Sequence, residues 1–213
     1  MRLGQYFSKN IVLETERLIL RKITTRDAYD MYEYACRPET SKYLLWSPHT
    51  SVSATKNVIE AMRSDYAAER FFDFAITFKE NSKMIGTVGF TSYDEKNECA
   101  EAGYVLSPDY WYKEIAAEAL SAILNFAFCE LGLNRVEARY MVENVNSRRV
   151  MEKCQMTYEG CFRSKILVKG AFRDIGVYSI LASEYFSVPR ENIYKKSEKS
   201  SIFGRLFTSR NKN

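Results

Sequence analysis

The sequence predicts an α/β fold, a mixed, mostly antiparallel twisted sheet with helices on both faces. Three observations carry that prediction. Strand-like and helix-like stretches follow one another in the order β-α-α-β-β-β-α-β-α-β-β, with no internal repeat. Two short polar breaks, at 79–82 and 94–97, separate strand-like runs, as antiparallel hairpins require. Residues 114–131 carry an apolar stripe wide enough to lie on a sheet.

Residues 11–23, IVLETERLILRKI, predict a strand in which Leu18 and Leu20 alternate with Arg17, Ile19 and Arg21. Thr24, Thr25 and Asp27 supply N-cap chemistry for a helix to about Arg37, with Ala28, Met31, Tyr32 and Ala35 on one face. A second helix is expected over 51–69, after Pro48. Strands follow over 71–78, 83–93 and 98–106. The long helix 114–131 aligns Ile115, Ala119, Leu120, Ile123, Ala127 and Phe128, and Gly132 is a natural C-terminal stop. A strand over 133–141, a short helix over 147–153 and two strands over 156–169 and 171–184, meeting at Gly170, complete the order.

Composition narrows the function classes. The 213 residues are 46% hydrophobic with 13 Phe and 15 Tyr, ample for a core and unlike a disordered or collagen-like chain. No apolar run approaches eighteen residues, so no membrane-spanning helix is expected, and MRLGQYFSKN lacks a secretory h-region, which makes the cytoplasm the expected compartment. Five widely spaced cysteines and a single histidine leave no metal-ligand spacing, so no metal is expected. His49, in Ser47-Pro48-His49-Thr50, reads as a surface or substrate-loop residue rather than a catalytic base.

The net charge of +4 is uneven. Residues 187–213 hold seven basic and two acidic side chains, and residues 1–186 are about neutral, so the sequence divides into a domain over 1–186 and a basic tail over 187–213. A neutral body does not predict nucleic-acid binding. The tail's Ile202, Phe203, Leu206 and Phe207, flanked by Lys and Arg, fit either a weak contact with an anionic membrane or partner, or a helix docked on its own body.

A strand over 98–106, a short loop and the long helix form a β–loop–α unit whose first helical turn offers unpaired N–H groups to an anion. Around it stand LETERLILRKIT, IGTVGF (85–90), AEAGYVLSPDYW (100–111), AAEAL (116–120), LGLNRVEARYMVENVNSRRVMEKC (131–154), YEGCFR (158–163) and KGAFRDIGVYSIL. Together, over about 11–186, these resemble the GCN5-related N-acetyltransferases (GNAT fold), in the branch of ribosomal-protein alanine N-acetyltransferases of the RimJ/RimL type.

The resemblance implies acetyl transfer from acetyl-CoA to an amine in a ternary complex. It places Glu101 as general base, because an ammonium must lose a proton before it attacks a thioester. It places backbone groups of Tyr104, Val105 and Leu106 beside the cofactor's thioester, and Asn144 on its pantetheine arm. Ser147 becomes the donor near the sulfur, with helix capping as the plainer role for both Asn144 and Ser147. The phosphate loop corresponds to Trp111, Tyr112, Lys113, Glu114, Ile115 and Ala116. Glu114 stands where the family has a central glycine, and like-charge repulsion there is expected to weaken the cofactor by up to about a hundredfold unless the carboxylate swings outward or Lys113 offsets it. Met151 stands where many relatives carry a tyrosine acid. The glycine and aromatic expected after Glu152-Lys153 are replaced by Gln155 and Met156, a change assigned to the helix–strand junction. The expected acceptor is a protein or peptide α-amine. A small amine (polyamine, amino acid or antibiotic) is the second reading, and a non-catalytic CoA-fold module, suggested by Glu114 and Met151, is the third. The residues leave a homodimer open.

Overall fold

The computed structural model describes residues 11–68 and 72–188. Eight strands form one sheet in the order β1-β2-β3-β4-β5-β6-β8-β7. They are β1 (Leu13–Glu14), β2 (Leu18–Arg21), β3 (Phe72–Phe78), β4 (Lys83–Asp94), β5 (Cys99–Leu106), β6 (Arg135–Met141), β7 (Thr157–Val168) and β8 (Ala171–Leu181). Helices α1 (Ala28–Ala35), α2 (Pro38–Ser41) and α3 (Val52–Ala67) lie between β2 and β3. Helix α4 (Ile115–Asn125) links β5 to β6, α5 (Val145–Lys153) links β6 to β7, and α6 (Ala182–Ser187) follows β8. Every neighbouring pair is antiparallel except β5–β6. In β4 seven consecutive residues from Met84 to Phe90 are buried, which a strand achieves only when both its faces are covered.

The sequence-based boundaries change where side chains intervene. The run 11–23 splits in two because the Thr15 hydroxyl takes the Leu18 N–H, at 2.9 Å, and turns the chain. The first helix stops at Ala35, before Pro38 opens the extra short helix α2. The long helix starts at Ile115 and widens after Asn125 into a π turn, Phe126–Glu130, where the Leu131 N–H reaches the Phe126 carbonyl at 3.1 Å. The last strand ends at Leu181 instead of 184, because the Glu184 carboxylate accepts the Leu181 N–H at 2.9 Å and opens α6. The short helix starts at Val145 instead of 147, capped by Asn144. The basic tail lies outside the described residues from position 189 onward. No helix among the described residues is long and apolar enough to cross a membrane.

One buried polar group stands out on β3. Asp73 Oδ1 is shielded from solvent without a hydrogen-bond partner, and burial pushes its carboxyl up to about 7. Between the ordinary value of 3.8 and about 7, the folded chain keeps a proton that the unfolded chain has lost. Stability therefore falls as pH rises through that window. Asp73→Asn is expected to match wild type at pH 4 and to exceed it by about 1–3 kcal/mol at pH 8. Urea unfolding at both pH values checks this, and equal stability at pH 8 would contradict it.

Candidate active site

Strands β5 and β6 run parallel from Cys99↔Arg135 to Ala102↔Ala138, and there the pairing ends although both strands continue. The Ser107 N–H bonds the Ile85 carbonyl at 2.7 Å, which fixes the alternation along the β4–β5 ladder. Val105 and Gly103 thus turn their backbone groups to β4, while Tyr104 and Leu106 turn theirs toward the gap left by β6. The Leu106 carbonyl there accepts the Trp111 indole N–H at 2.9 Å. An open strand edge of this kind leaves backbone donors and acceptors free for an amide-bearing ligand.

Side-chain alternation sends Glu101, Gly103 and Val105 to one face of β5, and Ala102 and Tyr104 to the other. Glu101 lies in register with Glu137 of β6, one pair before the strands part. Arg139 reaches Glu101 at 3.3 Å and Glu137 at 3.3 Å. Arg135 pairs with both Glu137 and Glu159. Burial pushes the Glu101 carboxyl up, Arg139 pulls it down, and Glu137 adds to the rise. Further along this face Met141, Val168 and Ile175 form a small separate core with Tyr43 and Ile166. The β7–β8 turn is clasped there by Lys169, whose Nζ donates to the Ser41 carbonyl at 2.6 Å.

On the opposite face, Tyr104 Oη donates to the Ser147 carbonyl and lies 2.9 Å from Ser147 Oγ. Burial pushes the Tyr104 phenol well above its ordinary range, so it stays protonated and acts as a neutral donor. Asn144 Oδ1 accepts the Ser147 N–H at 3.2 Å, the capping bond that fixes the start of α5. Glu101 and Ser147 therefore flank β5 from opposite sides, with the gap between them.

The loop from β5 to α4 holds two left-handed non-glycine residues, Tyr112 at φ 61° and Glu114 at φ 63°. Such residues cost roughly 1–2 kcal/mol each, and their alternation with Lys113 makes a concave run of N–H groups suited to an anion. The Glu114 carboxylate is turned away, ion-paired with Lys153 of α5 and largely exposed. Lys153 holds its carboxyl below the usual range. Lys113 lies over the Tyr110 ring at 5.4 Å, and Asn146 Nδ2 donates to Tyr112 Oη at 3.1 Å. Ile115 is buried in the core, and Ala116 packs against it.

The acetyltransferase (GNAT) domain family matches residues 17–157. The chain belongs to this family. An uncharacterized N-acetyltransferase, p20, of Bacillus licheniformis is 35% identical over 173 residues, 81% of this chain and 97% of that protein. The [ribosomal protein uS5]-alanine N-acetyltransferase of Escherichia coli K12 is 23% identical, across 76% of this chain and 86% of its own length. A GNAT-family acetyltransferase from Bacillus anthracis superposes with TM-score 0.73 at 29% identity, over 82% of this chain and all of that one. Fold and family agree, and the protein is an acetyltransferase enzyme.

Against the GNAT pattern, the departures acquire physical reasons. Glu114 is left-handed, a conformation that glycine takes without strain, and Lys153, not Lys113, compensates its charge. Gln155 likewise takes the position of the missing glycine at φ 61°. Met151 is buried in the core. Four contributors escaped the sequence reading: Arg17, Glu118, Lys153 and Arg139. The block LETER, containing Arg17, carried the signal for the first, but nothing local showed what it touches. No group of His, Cys, Asp and Glu able to hold a metal ion occurs among the described residues.

Proposed function

We propose that the chain moves the acetyl group of acetyl-CoA directly to the α-amine of a protein or peptide N-terminus. The observation that carries this reading is the parting of β5 from β6 after Ala102↔Ala138, beside a loop shaped for an anion. Acetyl-CoA supplies an activated thioester. Backbone N–H groups of Tyr104 and Leu106 would hold its arm and stabilise the developing oxyanion. The N–H groups of Tyr112, Lys113 and Glu114 would hold the diphosphate. Glu101 takes the ammonium proton, nitrogen bonds the carbonyl carbon as the C–S bond breaks, and Ser147 passes a proton to the departing sulfur while the second proton shed by the new amide nitrogen restores its hydroxyl. The Asn144 amide completes the cradle.

Support for an α-amine over a polyamine comes from charge. Glu101, Glu137 and Glu159 are each paired with Arg139 or Arg135, so this face keeps little uncompensated negative charge to hold a polycation. The test offers acetyl-CoA with peptides beginning in Ala, Ser or Met, and with spermidine, and reads released thiol and acetylated product by mass. Transfer to peptide is expected. Transfer confined to spermidine would move the acceptor to small amines, and no transfer to any amine would favour the non-catalytic module.

The Glu114–Lys153 pair yields a second expectation. Lys153→Met leaves the Glu114 charge uncompensated beside the diphosphate, and should weaken CoA about three- to tenfold by calorimetry. Adding Glu114→Gly to that variant should restore the affinity. Failure of the double variant to recover would show that Lys153 acts in another way.

A further inference from the structure

The loop that would receive the diphosphate has lost the glycine that normally lets it curl, yet it curls. Its shape is held from outside. Arg17, at the mouth of β2, donates from Nη1 to the Lys113 carbonyl at 3.0 Å. A trans peptide directs its C=O and the following N–H in opposite directions. Anchoring the Lys113 carbonyl toward Arg17 therefore aims the Glu114 N–H at the concave side of the loop.

Arg17 is itself held in a fork. Its Nε meets Glu118 Oε2 at 2.6 Å, and its backbone N–H meets Glu118 Oε1 at 2.9 Å. The Thr15 hydroxyl donates to the same Oε1. Glu118 stands in the first turn of α4 and its side chain is only 10% exposed, so the carboxylate end of this arrangement is shielded from competing water, while the Arg17–Lys113 bond is exposed. One arginine thus ties the N-terminal strand, the loop peptide and the first helical turn together. A planar guanidinium makes such a multiple contact and an ammonium does not.

We propose that Arg17 is a positioning residue that locks the Lys113–Glu114 peptide into an anion-binding nest, replacing by an external brace the conformational freedom of the absent glycine. This rests on the acetyl-CoA reading. Glu118 is the brace's support, and Thr15 its second tether.

The test measures affinity for two probes, CoA and pantetheine, which lacks the diphosphate, in wild type and in Arg17→Lys, Arg17→Ala and Glu118→Gln. Thermal melting of each variant accompanies the titrations. The brace predicts that Arg17→Lys, although it keeps the charge, binds CoA about tenfold more weakly, with pantetheine unchanged. Glu118→Gln should do the same while Arg17 remains in place. Were Arg17 simply a cation for the phosphates, Arg17→Lys would bind CoA normally and Glu118→Gln would not weaken it, and either result overturns the brace. Equal weakening of both probes would reduce Arg17 to a structural residue and overturns it also. If wild type takes up no CoA, the acetyl-CoA reading fails first and the brace with it. Arg17→Ala tests the same loss without any side-chain charge, and Arg17→Lys and Glu118→Gln decide the matter if the alanine variant does not fold.

Discussion

Replacing Glu101 with glutamine is expected to lower kcat by about 100- to 1,000-fold and to remove the acidic limb of the pH–rate profile. A general base works only when ionised, so the rate falls as pH drops through its pKa. Burial has pushed the Glu101 carboxyl up, which moves that limb toward neutral pH. Arg139 opposes the rise from 3.3 Å. Arg139→Met should therefore shift the limb to higher pH, by roughly half a unit to one unit, with Glu137 keeping only its Arg135 partner. Glu101→Gln has no such limb to shift in either background. Measuring kcat/KM from pH 5 to 9 with the best peptide acceptor separates the outcomes. An unchanged profile in Glu101→Gln would assign proton removal to another group.

The largest expected stability loss is at Gly86 of β4. It sits in register with Leu106, and an added Cβ would overlap the Val105 carbonyl oxygen. The clash is with backbone, so no side chain can swing away, and β4 and β5 must separate where β5 borders the gap. Gly86→Ala is expected to cost about 3 kcal/mol and to lower Tm by roughly 6–12 °C for a domain of this size. Gly132, at φ 68° with nothing within 4 Å, is a control in which alanine meets only backbone strain, about 1 kcal/mol. Differential scanning calorimetry compares the two, and similar small losses would show that β4 and β5 give way more easily than this packing implies.

The legible parts of the fold were those written in local periodicity. The stripe from Ile115 to Phe128 made α4 plain, and the polar breaks before Lys83 and Cys99 gave the hairpins. The π turn after Asn125 was hidden, because a stripe at i, i+3 and i+4 looks the same across it. The turn at 15–17 was hidden too, since a single Thr15 hydroxyl decides it. At the site, the motif containing Glu101 and the Asn144–Ser147 spacing could be read in sequence. Which groups meet there could not, because the contacts are non-local. Lys153 finds Glu114 from 39 residues away, and Arg17 finds Glu118 from 101. In sequence the cation beside Glu114 is Lys113, whereas in the fold the Lys113 ammonium lies over Tyr110 and Lys153 pairs with the Glu114 carboxylate.

In the proposed complex the gap between β5 and β6 receives the thioester arm while the loop at 112–114 receives the diphosphate. A crystal structure of the protein with CoA tests it most directly. The pantetheine amides are expected on the backbone of Tyr104 and Leu106, and the diphosphate on the N–H groups of Tyr112 to Glu114. CoA bound elsewhere, or a gap closed by side chains at saturating CoA, would contradict it.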